Sequence, residues 1–335
     1  MLLFSSSALG QDLGQARIEE ELRRLSLAAG GTVGVAAVHI PSGEKVSLHS
    51  SQRFPMASTY KIAIAVALLR KVEAGELTLQ ERVELKETDL RPGSGTIASH
   101  LKHPGVVLPL SNLLELMLIL SDNSATDLVL AKAGGPQAVT AALRELGVEE
   151  VRIDRPTLQL IADWAGVELP SQVIAADSFV QLFEAVTPSD RQKAAAAFAQ
   201  DPRDTATPQG MVRLLMSIQA GEALNADHTA LLLDIMRRCE TGPGRIKGLL
   251  PPYAETAHKT GTIGGVTNDV GILTLPGQGG QIALAIFIRD SQLELPAREA
   301  AIAQMARAVY DYFLFAAPHE HRQEGDPATE QKPPR

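Results

Sequence analysis

Strand-forming patterns occupy the two ends of this chain, and a long helical block separates them. Residues 32–40 are a run of small and β-branched side chains, Pro41-Ser42-Gly43-Glu44 supplies a turn, and residues 45–49 form a second run. That is the pattern of a β-hairpin with a glycine turn. Near the other end, residues 256–262, 268–275 and 281–288 read as three strands joined by glycine-rich turns. Between them, residues 58–74 read as a helix with an apolar run from Ile62 to Leu69, and residues 112–120 as a second apolar helix. Residues 127–133 and 136–146 look helical, broken by Gly134-Gly135, as do residues 209–220 and 227–239. Residues 152–208 are the least regular stretch. Residues 12–28 place Ile18, Leu22 and Leu25 on one helical face, and residues 299–315 close the chain with a helix. The simplest assembly is an α+β fold. One antiparallel sheet is built from both termini and flanked by helices, and an all-helical lobe is inserted in the middle. A site would then lie at the seam, where pockets are common.

At 335 residues, length suggests one or two domains. The net charge of −8 comes with no basic patch, so nucleic acid is not expected as a partner. The acidity reads as simple solubility. Cys239 is the single cysteine, so no intrachain disulfide can form. It is read as a helix residue rather than a nucleophile, because no histidine motif accompanies it. Residues 1–14 are apolar and rich in small side chains, without a basic leading segment, and read as the tail of a secretory signal. That reading implies export, to a periplasm or the medium. No run of 18 apolar residues follows, so no membrane span is expected. Residues 318–335 are charged and proline-containing and read as a disordered tail.

Three short motifs then fall in order. Ser58-Thr59-Tyr60-Lys61 sets a hydroxyl one helical turn from an amine. Phe54-Pro55-Met56 leads into that helix, so Ser58 falls near its first turn, where unpaired N–H groups and the dipole favour a developing anion. Lys61 precedes the apolar run, and burial there favours the neutral amine, which can act as a base. Ser121-Asp122-Asn123 adds a hydroxyl that could relay a proton and an amide that could hold a carbonyl and touch Lys61. Asp122 would brace the turn. Lys259-Thr260-Gly261-Thr262 adds a positive charge, two hydroxyls suited to a carboxylate, and a glycine that admits close backbone approach. The Ser58 and Thr262 N–H groups could form an oxyanion hole. Each motif alone is a frequent accident; an S-x-x-K pair is commonly a cap and a solvated lysine. In this order they supply nucleophile, base, relay and anion anchor.

With these motifs the chain resembles the class A serine β-lactamases. Arg53-Phe54-Pro55-Met56-Ala57, Asp201-Pro202-Arg203-Asp204-Thr205-Ala206-Thr207-Pro208 and Thr267-Asn268-Asp269 fit the same family. The resemblance implies one catalytic domain over residues 15–317, with 15–55 and 245–317 as its α/β part and 56–244 as its mainly helical lobe. It implies Ser58 as the acylated serine, Lys61 as its base, Ser121 as the relay and Asn123 as a substrate clamp. Lys259, Thr260, Gly261 and Thr262 would form the carboxylate and oxyanion wall. No metal or organic cofactor is expected, and a monomer is.

The pattern departs from the family at one place that matters. A glutamate in an E-x-x-L-N pattern normally positions the water that hydrolyses the ester, yet no such pattern occurs between residues 152 and 200. Thr157 stands where the glutamate is expected, and Leu160-Ile161 where Leu-Asn is. The interval from Ile161 to Gln200 is longer than the family pattern by roughly thirty residues, the kind of stretch that holds a lid or inserted helices. Glu168, Asp163 and Asp154 are the nearby carboxylates that could substitute. Thr267 stands where many relatives have an arginine, and Asp127 where the glutamate's bracing asparagine usually is. Three readings follow: hydrolysis of β-lactams with slow release, a D,D-peptidase acting on cell-wall peptides, or a sensor that stays acylated.

Overall fold

The computed structural model describes residues 5–170 and 176–316. The tail at 318–335 lies outside them. In chain order the first elements are helix α1 (Ser5–Ser26), strands β1 (Thr32–His39), β2 (Lys45–Leu48) and β3 (Phe54–Pro55), and helix α2 (Lys61–Glu73). Then come β4 (Arg82–Glu84), α3 (Ile97–His100), β5 (Val107–Pro109), α4 (Leu110–Ile119), α5 (Asn123–Lys132) and α6 (Gly135–Glu145). Helices α7 (Thr157–Ala165), α8 (Ala176–Ala185) and α9 (Pro188–Gln200) precede β6 (Thr205–Ala206), α10 (Pro208–Gln219) and α11 (Ala226–Arg237). Strands β7 (Thr256–Ile263), β8 (Val266–Thr274) and β9 (Gln281–Arg289) and helix α12 (Leu295–Ala316) complete the chain.

The sheet runs β2-β1-β9-β8-β7 and is antiparallel throughout. Strand β9, from the far end of the sequence, pairs with β1 from the near end, Thr32 opposite Arg289 and His39 opposite Ile282. Alternation along β9 explains why both faces must be covered. Ile282, Leu284, Ile286 and Ile288 pack with Leu22 of α1 and Ile302, Met305, Val309 and Phe313 of α12. Ala283, Ala285 and Phe287 face the core shared with the inserted helices. Its centre is α2, where Ile62 to Leu69 are all buried, as an unbroken apolar run requires.

Four boundaries differ from expectation. The first helix begins at Ser5 rather than at residue 12. Helix α2 begins at Lys61, because Ala57–Tyr60 form a tighter 3₁₀ turn before it. Helix α5 begins at Asn123 rather than 127; Asp122 caps it by accepting from Ala125 N at 2.9 Å, and a residue that favours caps reads as loop from sequence alone. The stretch 152–208, read as irregular, holds helices α7, α8 and α9. A third small core, Ala162, Ala165, Val167 and Phe179, joins α7 and the residues just after it to α8. Among the described residues no helix is long and apolar enough to cross a membrane.

Candidate active site

The serine turn is built under tension. Ala57 has φ +45°, a left-handed conformation that costs a non-glycine residue of order 1 kcal/mol. Two groups hold it. Asn268 Nδ2 of β8 donates to Pro55 O and Met56 O, each at 2.9 Å. Strand β7 meets the turn at Gly261, where a Cβ would stand 2.5 Å from Met56 O and 3.0 Å from Ser58 N. Gly261 therefore admits the protein's own backbone, not only a substrate's. Ser58, half-buried, lines a cleft of about 320 Å³ at the seam between β7 and the helical lobe.

The two motif lysines meet beneath this cleft, and neither is exposed at all. Lys61 Nζ donates to Ser121 O at 2.7 Å, Ser121 Oγ at 3.2 Å and Asn123 Oδ1 at 3.0 Å. Lys259 Nζ donates to the same Ser121 Oγ at 3.0 Å and to Thr260 O at 3.0 Å. Ser121 has φ +57°, so its conformation too is strained into place. Burial, and then the charge of Lys259, hold Lys61 well below its ordinary value against the pull of Asp122 and Asp127. Burial lowers Lys259 as well, but only to about 8, with Cys239 and Asp269 opposing. Asp122 faces away from the lysines: Thr96 N and Ile97 N donate to its Oδ2 at 2.7 and 2.8 Å, fixing the loop that carries Gly93 and Ser94. Asn123 Nδ2 donates to Pro92 O, which leaves one amide hydrogen for the cleft.

Strand β7 closes the sheet edge, so it presents backbone groups without a strand partner to the cleft. Thr262, Ile263 and Gly264 line it. Thr260 does not: its hydroxyl, expected to bind a carboxylate, is buried and pairs with Thr241 Oγ1 at 2.5 Å. Arg245, which no motif pointed to, is 3% exposed and donates to Thr262 Oγ1 at 2.6 Å, Asn268 O at 2.9 Å and Gly261 O at 3.2 Å. It brings to this wall the guanidinium that Thr267 lacks. Its only sequence signal is a basic residue after Gly242-Pro243-Gly244.

The facing wall is helix α7. Thr157, Leu160, Ile161 and Trp164 recur at one helical face, and all four line the cleft. Thr157 thus lines the cleft, and its hydroxyl pairs with Tyr60 Oη at 2.6 Å. Burial raises Tyr60 well above its usual range, so it stays protonated. Asp127 braces the start of α7, accepting from Thr157 N at 2.7 Å and from Arg91 Nε at 2.6 Å. None of the three candidate carboxylates lines the cleft. Asp163 pairs with Arg155 at 2.6 Å and Arg203 at 3.3 Å; Asp154 pairs with Arg152 and accepts from Asp204 N; Glu168 is exposed. Tyr60 and Trp164 escape a reading of the sequence as site residues, because aromatics on helical faces usually mean packing.

An arrangement of this kind can acylate a serine, and the chain is similar to known proteins over nearly its whole length. A family profile described as "Beta-lactamase enzyme family" matches residues 17–313. Beta-lactamase CTX-M-97 of Escherichia coli is 29% identical over 311 residues, 92% of each chain. Extended-spectrum beta-lactamase PER-1 of Pseudomonas aeruginosa is 27% identical over 321 residues, covering 94% of this chain and 93% of that one. The crystal structure of a beta-lactamase from Chitinophaga pinensis superposes with a TM-score of 0.73 at 28% identity, covering 88% of this chain and 98% of that one. An ancestral class A beta-lactamase superposes at 0.72 with 31% identity, covering 88% and 99%. Fold, motif order and full-length similarity agree, and the chain belongs to the class A serine β-lactamase family.

Proposed function

We propose that this enzyme opens β-lactam amides through an ester on Ser58 and releases the product slowly. Neutral Lys61 takes the Ser58 proton as the oxygen attacks the carbonyl carbon. The oxyanion forms between the Ser58 and Thr262 N–H groups. The ring C–N bond then breaks, and Ser121 Oγ, bonded to both lysines, passes a proton to the leaving nitrogen. Lys259, Thr262 and Arg245 hold the substrate carboxylate, and Asn123 its amide. The observation that carries the slow step is the face of α7. Hydroxyls and apolar groups stand where a water would need a carboxylate, and a protonated Tyr60 cannot accept a proton.

A positioned general base is worth ~10²–10⁴ in rate, or about 3–5 kcal/mol. Turnover of a chromogenic cephalosporin should therefore show a burst near one product per enzyme and then a slow steady phase. Thr157→Glu should speed the slow phase without changing the burst. Linear turnover without a burst would contradict slow release. Release of D-alanine from a wall peptide at a rate exceeding cephalosporin turnover would make the enzyme a D,D-peptidase instead.

A further inference from the structure

One side chain spans the cleft that holds Ser58. The cleft is small: about 320 Å³ is the low end for a site that takes a drug-sized molecule. Ser58, Asn123 and Thr262 share it with an apolar stretch made by Leu160, Ile161 and Trp164 of α7 and by Ile263 of β7. Trp164 reaches from the α7 wall to the opposite one. It meets the turn between β7 and β8 at Gly264, so closely that a Cβ there would stand 2.7 Å from the indole Nε1, 3.3 Å from Cε2 and 3.5 Å from Cζ2. Only a glycine fits against the ring, and φ +52° at this position disfavours any side chain as well.

The two sides of this contact are held differently. Gly264 O accepts from Arg298 Nη1 of α12 at 2.7 Å, and Gly265 O accepts from Ser291 N at 3.2 Å. The turn is therefore fastened to the chain that follows β9. Helix α7 is fastened at its other end, where Asp127 accepts from Thr157 N at 2.7 Å. Trp164 stands next to the last residue of that helix. Behind it lies only the small core shared with α8, against which Trp164, Leu182 and Phe183 are partly buried. The indole is the partner of this contact that can move without disturbing the sheet.

We propose that Trp164 decides which β-lactams reach Ser58. With the indole on Gly264 the cleft ends at the ring and takes β-lactams whose acyl group is small. A large acyl group enters by displacing the indole from the turn, and then lies on Leu160 and Ile161. Trp164 makes and breaks no bond; it is a specificity-determining residue. Its role depends on the acylation of Ser58 proposed above.

The test uses two penicillins with the same ring system, one with a bare amino group in place of the acylamino group and one with a phenyl-isoxazolyl acyl group. Acylation of each is timed by intact mass. Misfit in an apolar pocket is worth roughly 10- to 200-fold in rate. The wild type should therefore acylate faster with the small penicillin. In Trp164→Ala the ratio of the two rates, bulky over small, should rise at least roughly tenfold. Trp164→Phe keeps an aromatic side chain for the α8 core but reaches less far, and should raise the ratio by a smaller factor. Gly264→Ala pushes the indole aside and should raise the ratio too. In a Trp164→Ala background it should add little, because both changes act on one contact. Trp164 is the chain's single tryptophan, so its fluorescence reports this position alone. In Gly264→Ala the emission should move to longer wavelength as the indole enters water. A ratio unchanged in both Trp164 variants, or an unmoved emission in Gly264→Ala, overturns the proposal while acylation of Ser58 stands. If neither penicillin acylates the wild type or Trp164→Ala, the acylation of Ser58 itself fails, and the role of Trp164 with it.

Discussion

Lys61 is the residue on which the proposed chemistry turns. A lysine with no exposed surface and, among the described residues, no carboxylate partner is held mainly by three neutral oxygens. Neutrality is what that environment favours, and neutrality is what a base needs. Because the active form is the deprotonated one, acylation should fall as pH drops through the Lys61 value, which lies well below the ordinary 10.5. Lys61→Arg should lose ~10²–10⁴ in acylation rate, since arginine does not give up its proton. Intact-mass measurement after penicillin treatment checks this, with Ser58→Ala as the variant that takes no adduct. These residues were legible in the sequence because their types and spacing state the chemistry directly. Arg245 was not, because a single arginine carries no pattern until its neighbours are known.

Helix α7 shows what an element adds. Its cleft face is set by a polar hub at its root. Arg155, 3% exposed, bonds Asp204 at 2.5 Å, Asp163 at 2.6 Å and Asp201 at 3.2 Å, with its guanidinium over the Phe198 ring. Asp204 also accepts hydrogen bonds from Asp154 N at 2.7 Å and Arg155 N at 3.1 Å, tying the root of α7 to β6. Removing the arginine would strand the buried Asp204, since Asp163 and Asp201 keep Arg203 as a partner. Arg155→Ala should therefore cost about 3–5 kcal/mol, read as a lowered denaturant midpoint. Only the start of this hub, the Asp-Pro-Arg-Asp segment, was visible as a motif. The helices between Ala176 and Gln200 read as irregular because α9 is rich in alanine and charge and carries almost no apolar stripe.

For the whole molecule, the active site is a stability cost. Two amines are buried that the unfolded chain would leave charged in water. Below its unfolded value near 10.5, Lys61 holds more protons in the unfolded state than in the folded one. This contribution to stability therefore rises with pH up to that value. Lys61→Met fills the same space without the desolvation penalty. It should raise the melting temperature by the equivalent of about 1–3 kcal/mol near neutral pH while abolishing acylation. Calorimetry of the two proteins at neutral and alkaline pH checks both the sign and the convergence.

Local patterns were enough to set the layered plan and to nominate the candidate acylating groups. Alternation along strands and an unbroken apolar run are local, and so are Ser58 with Lys61, Ser121 with Asn123, and Lys259 with Thr262. What the tertiary structure alone decided is everything that depends on distant segments meeting. Packing of α7 turns Asp163 and Asp154 to arginines and leaves Thr157 at the cleft. The edge of β7 brings Arg245 to Thr262. Whether a carboxylate or a hydroxyl faces the ester is a matter of which side of a helix packs inward, and only the assembled core sets that.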